Sequence, residues 1–518
     1  MASQLFAKKS LKVLLEEMAG AHRLRRALGP ISLTSLGIGC VIGAGIFVAT
    51  GAAARNVAGP SLMISYVVSG ITCVLAALCY AEFASMAPVA GSAYTYAYAT
   101  LGELLAWIIG WDLILEYAVG AAAVAAGWSG YFQKLLGMFN LQIPHVLQKA
   151  SLEYLPATGE FAWTGAVANL PALVIVTITT VILVKGIRES AGFNALMVFL
   201  KVAAVLFVIG VGAFLVVPAN WTNNFAPYGW SGISLFGIQL TGQTTSKGDP
   251  AGMLAGAAII FFAYIGFDSV STHAEEARRP QRDVPIAIVA SLLICTVLYV
   301  GVVAVLTGMV PFSQISVDAG VSDAFSTHLP WASYIIAAAA VAGLTSVILV
   351  MMLSAPRVFM AMARDGLMPR QFFADVHPRF RTPWKSTIAV GVFVGVLAGF
   401  LPLDSLLHMT NIGTLFAFVI VCAAVLVMRR TDPNAQRPFR CPWVPVVPVL
   451  GIAACLMLML SLPTANWWRL LAWMGIGLVI YVAYGRRHSV LGRQLAHEIS
   501  VHGVSPAGMP LEEDQGKE

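Results

Sequence analysis

The sequence predicts an all-α integral membrane protein of about twelve transmembrane helices, arranged as two inverted five-helix repeats with broken first and sixth helices and a final pair. Three observations predict it. Of 518 residues, 58% are apolar and only 11% are charged, against roughly 25% charged in a soluble domain, and the mean hydropathy is +0.80. Twelve apolar windows are long enough to cross hydrocarbon. The first and sixth of them carry glycine in mid-run, five helices apart, which is the pattern of two repeats meeting at a site near the midplane. The same composition excludes disorder, collagen and a disulfide scaffold. A net charge of +6 spread along the chain, with no basic stripe, also excludes nucleic acid as a partner.

The elements follow in order. Residues 1–30 hold Lys8, Lys9, Lys12, Glu16, Glu17, Arg23, Arg25 and Arg26 before any apolar run, the wrong order for a cleaved signal peptide, and read as a cytoplasmic amphipathic segment. The first repeat, 31–217, contains windows Ile31 to Ala54, Pro60 to Phe83, Leu104 to Phe132, Pro171 to Val184 and Phe193 to Val217. The second, 252–428, contains Gly252 to Thr272, Val284 to Val310, Trp331 to Ala355, Ser386 to Leu401 and Leu406 to Met428. Helices 11 and 12 fall in 443–484, and 485–518 is a cytoplasmic tail. With the N-terminus inside, 25 Lys and Arg lie in inside segments and five, Arg55, Lys134, Lys149, Lys247 and Arg469, lie outside. That bias is the positive-inside rule, so both termini are expected in the cytoplasm, in a multi-pass protein of the cell inner membrane. The longest outside loops, Gln133 to Leu170 and Pro218 to Ala251, read as lids or short surface helices.

Seven cysteines show no paired or metal-ligand spacing, and nine histidines include no HxxxH or HExxH. No metal or other cofactor is expected, and no nucleophile constellation marks an enzyme. No GxxxxGK[ST] loop is present for nucleotide-driven pumping. An ion channel would need a repeated polar pore lining, which this asymmetric chain does not show.

The first window reads Gly37-Ile38-Gly39-Cys40-Val41-Ile42-Gly43-Ala44-Gly45-Ile46-Phe47. On that segment alone, a small-residue packing groove at Gly39 and Gly43 fits as well as a break. The sixth window, Phe261-Phe262-Ala263-Tyr264-Ile265-Gly266-Phe267-Asp268, tips the balance toward broken helices. An unwound segment offers partly positive N–H groups at the start of one half-helix and partly negative carbonyls at the end of the other. Such a site suits a zwitterion. The N–H groups around Gly43, Ala44 and Gly45, with Ile42 beside them, can hold a carboxylate, and carbonyls around Val41, Phe262, Ala263 and Ile265 an ammonium.

The segments GIGCVIGAGIF, YAEFASMAPVAGSAYTYAY, GWDLILEY, FFAYIGFDSVSTHAEEARRPQRDVP and PRVFMAMARDGLMP resemble the bacterial branch of the cationic amino acid transporter family. That family lies in the amino acid, polyamine and organocation superfamily, with its LeuT-like fold. The resemblance runs from about Lys9 to Arg430. It implies a secondary amino acid permease whose partners are a small amino acid, a proton and the lipid bilayer. It carries the backbone-binding role onto Val41, Ala44, Gly45, Phe262, Ala263 and Ile265, with Ala44 standing where many relatives have Ser or Thr. An exchanger of cationic amino acids or polyamines, or a receptor-like sensor on the same fold, stays open.

Lys201 lies about 13 Å along the fifth window at 1.5 Å per residue, and an intramembrane lysine costs about 2.5–3.5 kcal/mol on insertion scales. A structural tether to unwound carbonyls is one reading. The resemblance favours another, because it puts this lysine where sodium-coupled relatives hold a cation, so that its proton is the coupling ion. Glu116, one turn from Asp112, either relays a proton or ties neighbouring helices. Glu103, Glu275, Glu276, Arg278, Arg279, Arg282 and Asp283 read as gate or surface ion pairs, and Asp268 as a cap of the second half-helix. In the eighth window the resemblance places Met351 where animal cationic amino acid transporters have a small polar residue. A long apolar side chain there implies small neutral substrates, unless Met351 faces lipid or a neighbouring helix.

Overall fold

A computed structural model describes residues 2–9, 28–86, 92–155, 160–186, 191–236, 238–245, 248–272, 277–317 and 319–494. Most of the expected amphipathic N-terminal segment, Glu275, Glu276 and the end of the tail lie outside them. Among the described residues seven helical stretches are long and apolar enough to cross a bilayer, and the first, Pro30–Met86, holds two consecutive windows. Four shorter apolar helices, Leu170–Lys185, Met253–Tyr264, Trp384–Phe400 and Val446–Leu460, occupy the remaining windows. The chain is a helical, multi-span membrane protein.

We number one helix per window: α1 (Pro30–Val41), α2 (Leu62–Met86), α3 (Glu103–Met138), α4 (Leu170–Lys185), α5 (Ala191–Gly212) and α6 (Met253–Ile260). The rest are α7 (Pro280–Met309), α8 (Pro330–Arg364), α9 (Trp384–Phe400), α10 (Leu403–Thr431), α11 (Val446–Leu460) and α12 (Thr464–Ile480). Proline in the first turn starts α4, α7 and α8, where its missing N–H would have had no helical partner anyway. Helix α3 is almost wholly buried, packed by α8, α10, α9 and α4, whereas α12 leaves most of its surface to lipid. The centre of the bundle is therefore α3 with the two interrupted spans beside it.

The two long loops expected outside carry short helices, as expected, and paired strands as well. The strands form three two-stranded antiparallel ribbons: Leu152–Leu155 with Glu160–Trp163, Ile233–Leu235 with Ile238–Thr241, and Gln243–Thr244 with Pro250–Ala251. The Gly and Pro content of these loops works against helix, and short extended runs pair instead.

Candidate substrate and coupling site

Helix α1 stops at Val41. Ile42 leaves the helical basin (φ −71°, ψ 105°) while its N–H makes a last bond to the Ile38 carbonyl at 2.8 Å. Helical backbone resumes at Ala44 and runs on through Gly45–Ala49 as a wide π turn. Glycine is required at position 45, since a Cβ there would lie 2.0 Å from the Ala263 Cα. The first and sixth spans thus touch backbone to backbone. Helix α6 tightens into a 3-10 turn at Phe261–Tyr264 and breaks at Ile265 (ψ 134°) and Gly266, whose φ of +111° suits only glycine at low cost. Both expected interruptions are present and face each other, with Val41, Ile42, Gly43, Ala44, Gly45, Phe262, Ala263 and Ile265 all buried.

Carbonyls freed by a break must find donors. The sequence leaves those of Val41 and Ala263 open to an ammonium. In the structure the Tyr299 hydroxyl of α7 lies between them, its one hydrogen shared between the Val41 carbonyl at 2.8 Å and the Ala263 carbonyl at 3.0 Å. Each carbonyl keeps a second lone pair. The Gly45 carbonyl accepts from Tyr66 of α2 at 3.2 Å and Thr50 at 3.1 Å, and the Phe47 carbonyl accepts from Tyr131 of α3 at 2.5 Å. Asn411 of α10 donates to the Ala258 and Ile259 carbonyls near the end of α6, at 3.0 and 2.8 Å. The rings of Tyr66, Tyr264 and Tyr299 pack on one another with centroids 5.4 to 6.2 Å apart. Sequence reasoning missed this set. The available signal was tyrosine in mid-window at 66, 264 and 299, since a buried hydroxyl requires an acceptor.

Lys201 is 1% exposed, and its ammonium donates to the Gly39 carbonyl at 2.5 Å, two residues before the end of α1. It therefore reaches the first broken span, as expected. The titratable groups interacting with it are Cys40 and Cys295. Glu116 lies elsewhere, interacting with Asp268 and Asp112. Lys201 and Glu116 thus belong to separate clusters. Among the described residues, Glu116 Oε1 and both Asp112 carboxylate oxygens have no hydrogen-bond partner. Asp268, read as a cap, turns its carboxylate to the Tyr117 hydroxyl of α3.

Met351 is 5% exposed and faces the protein. Its Sδ would be 3.2 Å from a Cβ at Gly120 of α3, while Val347, one turn earlier on α8, abuts Gly43 in the break. Glu103, expected in a gate or surface ion pair, is fully buried and accepts from Tyr98 at 3.0 Å, from Tyr481 at 2.9 Å and from Ser489. Asp283 caps its own helix by accepting from the Arg279 N–H at 3.1 Å.

Residues 28–482 match the family model described as amino acid permease. The chain is 46% identical over 495 residues to the Branched-chain amino acid permease BcaP of Bacillus subtilis (strain 168), covering 95% of this chain and 100% of that one. It is 44% identical over 492 residues to the Methylthioribose transporter of the same organism, with the same coverage. Similarity to the vacuolar Cationic amino acid transporter 4 of Arabidopsis thaliana is 38% over 416 residues, 80% of this chain and 65% of that one. With two interrupted, mutually facing spans at its centre and these relatives along its length, the chain belongs to the amino acid permease family and is a membrane transporter of amino acids, not an enzyme.

Proposed function

We propose that the protein is a proton-coupled symporter of small neutral L-amino acids, binding the zwitterion between the breaks after Val41 and at Ile265. The observation that carries this reading is the Lys201 ammonium on the Gly39 carbonyl, a buried cation at the base of the first break. The carboxylate sits on the N–H groups of Gly43, Ala44 and Gly45, the first turn of the outer half-span. The ammonium takes the remaining lone pairs of the Val41, Phe262, Ala263 and Ile265 carbonyls. Lys201 exchanges the coupled proton and Glu116 relays protons through the cluster with Asp112 and Asp268. The excess of inside Lys and Arg supports cytoplasmic termini in the cell inner membrane. The breaks five helices apart support inverted repeats at 31–217 and 252–428, followed by helices 11 and 12 in 443–484.

Uptake of labelled L-alanine into proteoliposomes tests this. An inward proton gradient should accelerate uptake, and Lys201→Ala should abolish the acceleration while leaving an inserted, folded protein. Unchanged pH dependence in that variant rules out the lysine as proton carrier. Alaninamide should compete poorly with alanine, since it lacks the carboxylate, and equal inhibition by the two argues against the zwitterion clamp. The relative named for methylthioribose, 44% identical over its full length, favours one other reading, uptake of a neutral thio-sugar. Methylthioribose outcompeting every amino acid would establish it. Uptake only against preloaded amino acid, with no response to a proton gradient, would instead identify an exchanger.

A further inference from the structure

We propose that Gly343 of α8 is a positioning residue for Lys201: the absence of a side chain there forms the wall along which the lysine stem lies, aiming the ammonium at the Gly39 carbonyl. The proposal rests on the reading of Lys201 as the coupling group. A Cβ at position 343 would stand 3.3 Å from Lys201 Cγ, 3.5 Å from Cε and 3.7 Å from Cδ, so the glycine follows most of the stem. The opposite wall is also glycine. A Cβ at Gly39 would be 2.5 Å from Val198, one turn before Lys201, so α5 approaches α1 closely enough for the ammonium to reach the carbonyl only because position 39 is bare.

The lysine therefore occupies a slot between glycine faces of α1 and α8. With 1% of its surface exposed it has no solvent to retreat into. The titratable groups facing it are Cys40 from α1 and Cys295 from α7, and α8 brings Gly343. A methyl at 343 meets Cγ in a contact tighter than ordinary van der Waals packing, and the stem gives by a few tenths of an ångström. The short bond to Gly39 then lengthens or bends, and hydrogen bonds weaken steeply with poor geometry. Because that carbonyl favours the charged amine, a weaker bond releases the proton at lower pH.

The test is uptake of labelled alanine by proteoliposomes as a function of pH for Gly343→Ala, Lys201→Met and the double variant. Gly343→Ala should insert and melt like the parent, yet shift the midpoint of the pH profile toward acid by about one unit. In the Lys201→Met background it should change nothing further, because the group it positions is gone. An unchanged pH profile in Gly343→Ala overturns the proposal, as does an equal loss of uptake with and without Lys201→Met, which marks plain helix packing. If Lys201→Met alone leaves the pH dependence intact, the lysine reading has failed and the proposal falls with it, an outcome visible before position 343 is touched. Gly343→Ser gives the same readout should the alanine variant fail to insert.

Discussion

Tyr299 shows how one hydroxyl can hold two interrupted helices in register. Its O–H lies between the Val41 and Ala263 carbonyls, one from each broken span, while its ring rests on Tyr66 and Tyr264. Tyr299→Phe keeps the ring and removes the donor, leaving two buried carbonyls without it. Such an omission costs roughly 1–3 kcal/mol. The expected result is a thermal midpoint lowered by a few degrees and alanine affinity about tenfold weaker, the equivalent of about 1.4 kcal/mol. Tighter alanine binding would mean that the hydroxyl competes with the ammonium and does not aim the carbonyls. Met351 acts by volume. Its thioether sits in the notch left by Gly120, beside the break that Val347 touches. Met351→Ser should admit leucine or arginine as competitors of alanine uptake while alanine itself is still carried. If the unmodified protein already moves arginine as well as alanine, Met351 does not limit the pocket.

The two broken spans depend on glycine in different ways. Gly266 is needed for its backbone angle, and Gly45 for the space that Ala263 fills. Gly45→Ala would set its Cβ 2.3 Å from the Ala263 Cβ, closer than any real contact. The spans must separate, so alanine uptake should fall to background while a tagged protein still reaches the membrane. Uptake within twofold of the parent would show that the spans do not need this contact. The breaks were legible in the sequence only from the glycine-interrupted first and sixth windows taken together, five helices apart, because glycine in a single window fits packing equally well, and the windows because hydrocarbon thickness fixes their length. Burial of Lys201 implied an acceptor, but that the acceptor lies at the first break was implied only by the family resemblance. What closes the breaks was not legible. Val41 and Tyr299 are 258 positions apart, and no local pattern pairs them. Glu103 was misread as half of an ion pair because its partners are neutral hydroxyls from distant parts of the chain, Tyr481 and Ser489 beyond α12 among them.

Across the whole molecule, each end of the bundle carries polar ties among the described residues, and their chemistry differs. At the end expected outside, Lys134 at the end of α3 forms an ion pair with Asp323 in the short helix Gly320–Ser326, and Arg55 donates to the Ile315 carbonyl at 3.3 Å. At the end expected inside, two buried or half-buried carboxylates gather mainly neutral donors. Asp365 takes Lys9 at 3.0 Å and Tyr94 at 2.7 Å, and Glu103 gathers Gln4 at 3.4 Å with Tyr98, Tyr481 and Ser489. Residues 4–9, the start of α3, the end of α8 and the segment just after α12 thereby converge on one knot. A carrier must loosen one mouth while the other stays closed. Glu103→Ala removes the acceptor of several charge-assisted bonds, each worth about 1.5–3 kcal/mol, and each 1.4 kcal/mol that separates closed from inward-open states changes their ratio about tenfold. Cys40, in α1 beside the carbonyl that holds Lys201, is buried in the closed form and reports the opening. With Cys40 kept as the single cysteine, Glu103→Ala should speed its labelling by a maleimide about tenfold, and saturating alanine should slow it again. Equal labelling rates with and without the substitution would show that the knot at Glu103 does not hold the inner mouth, leaving Asp365 and its partners as the closure.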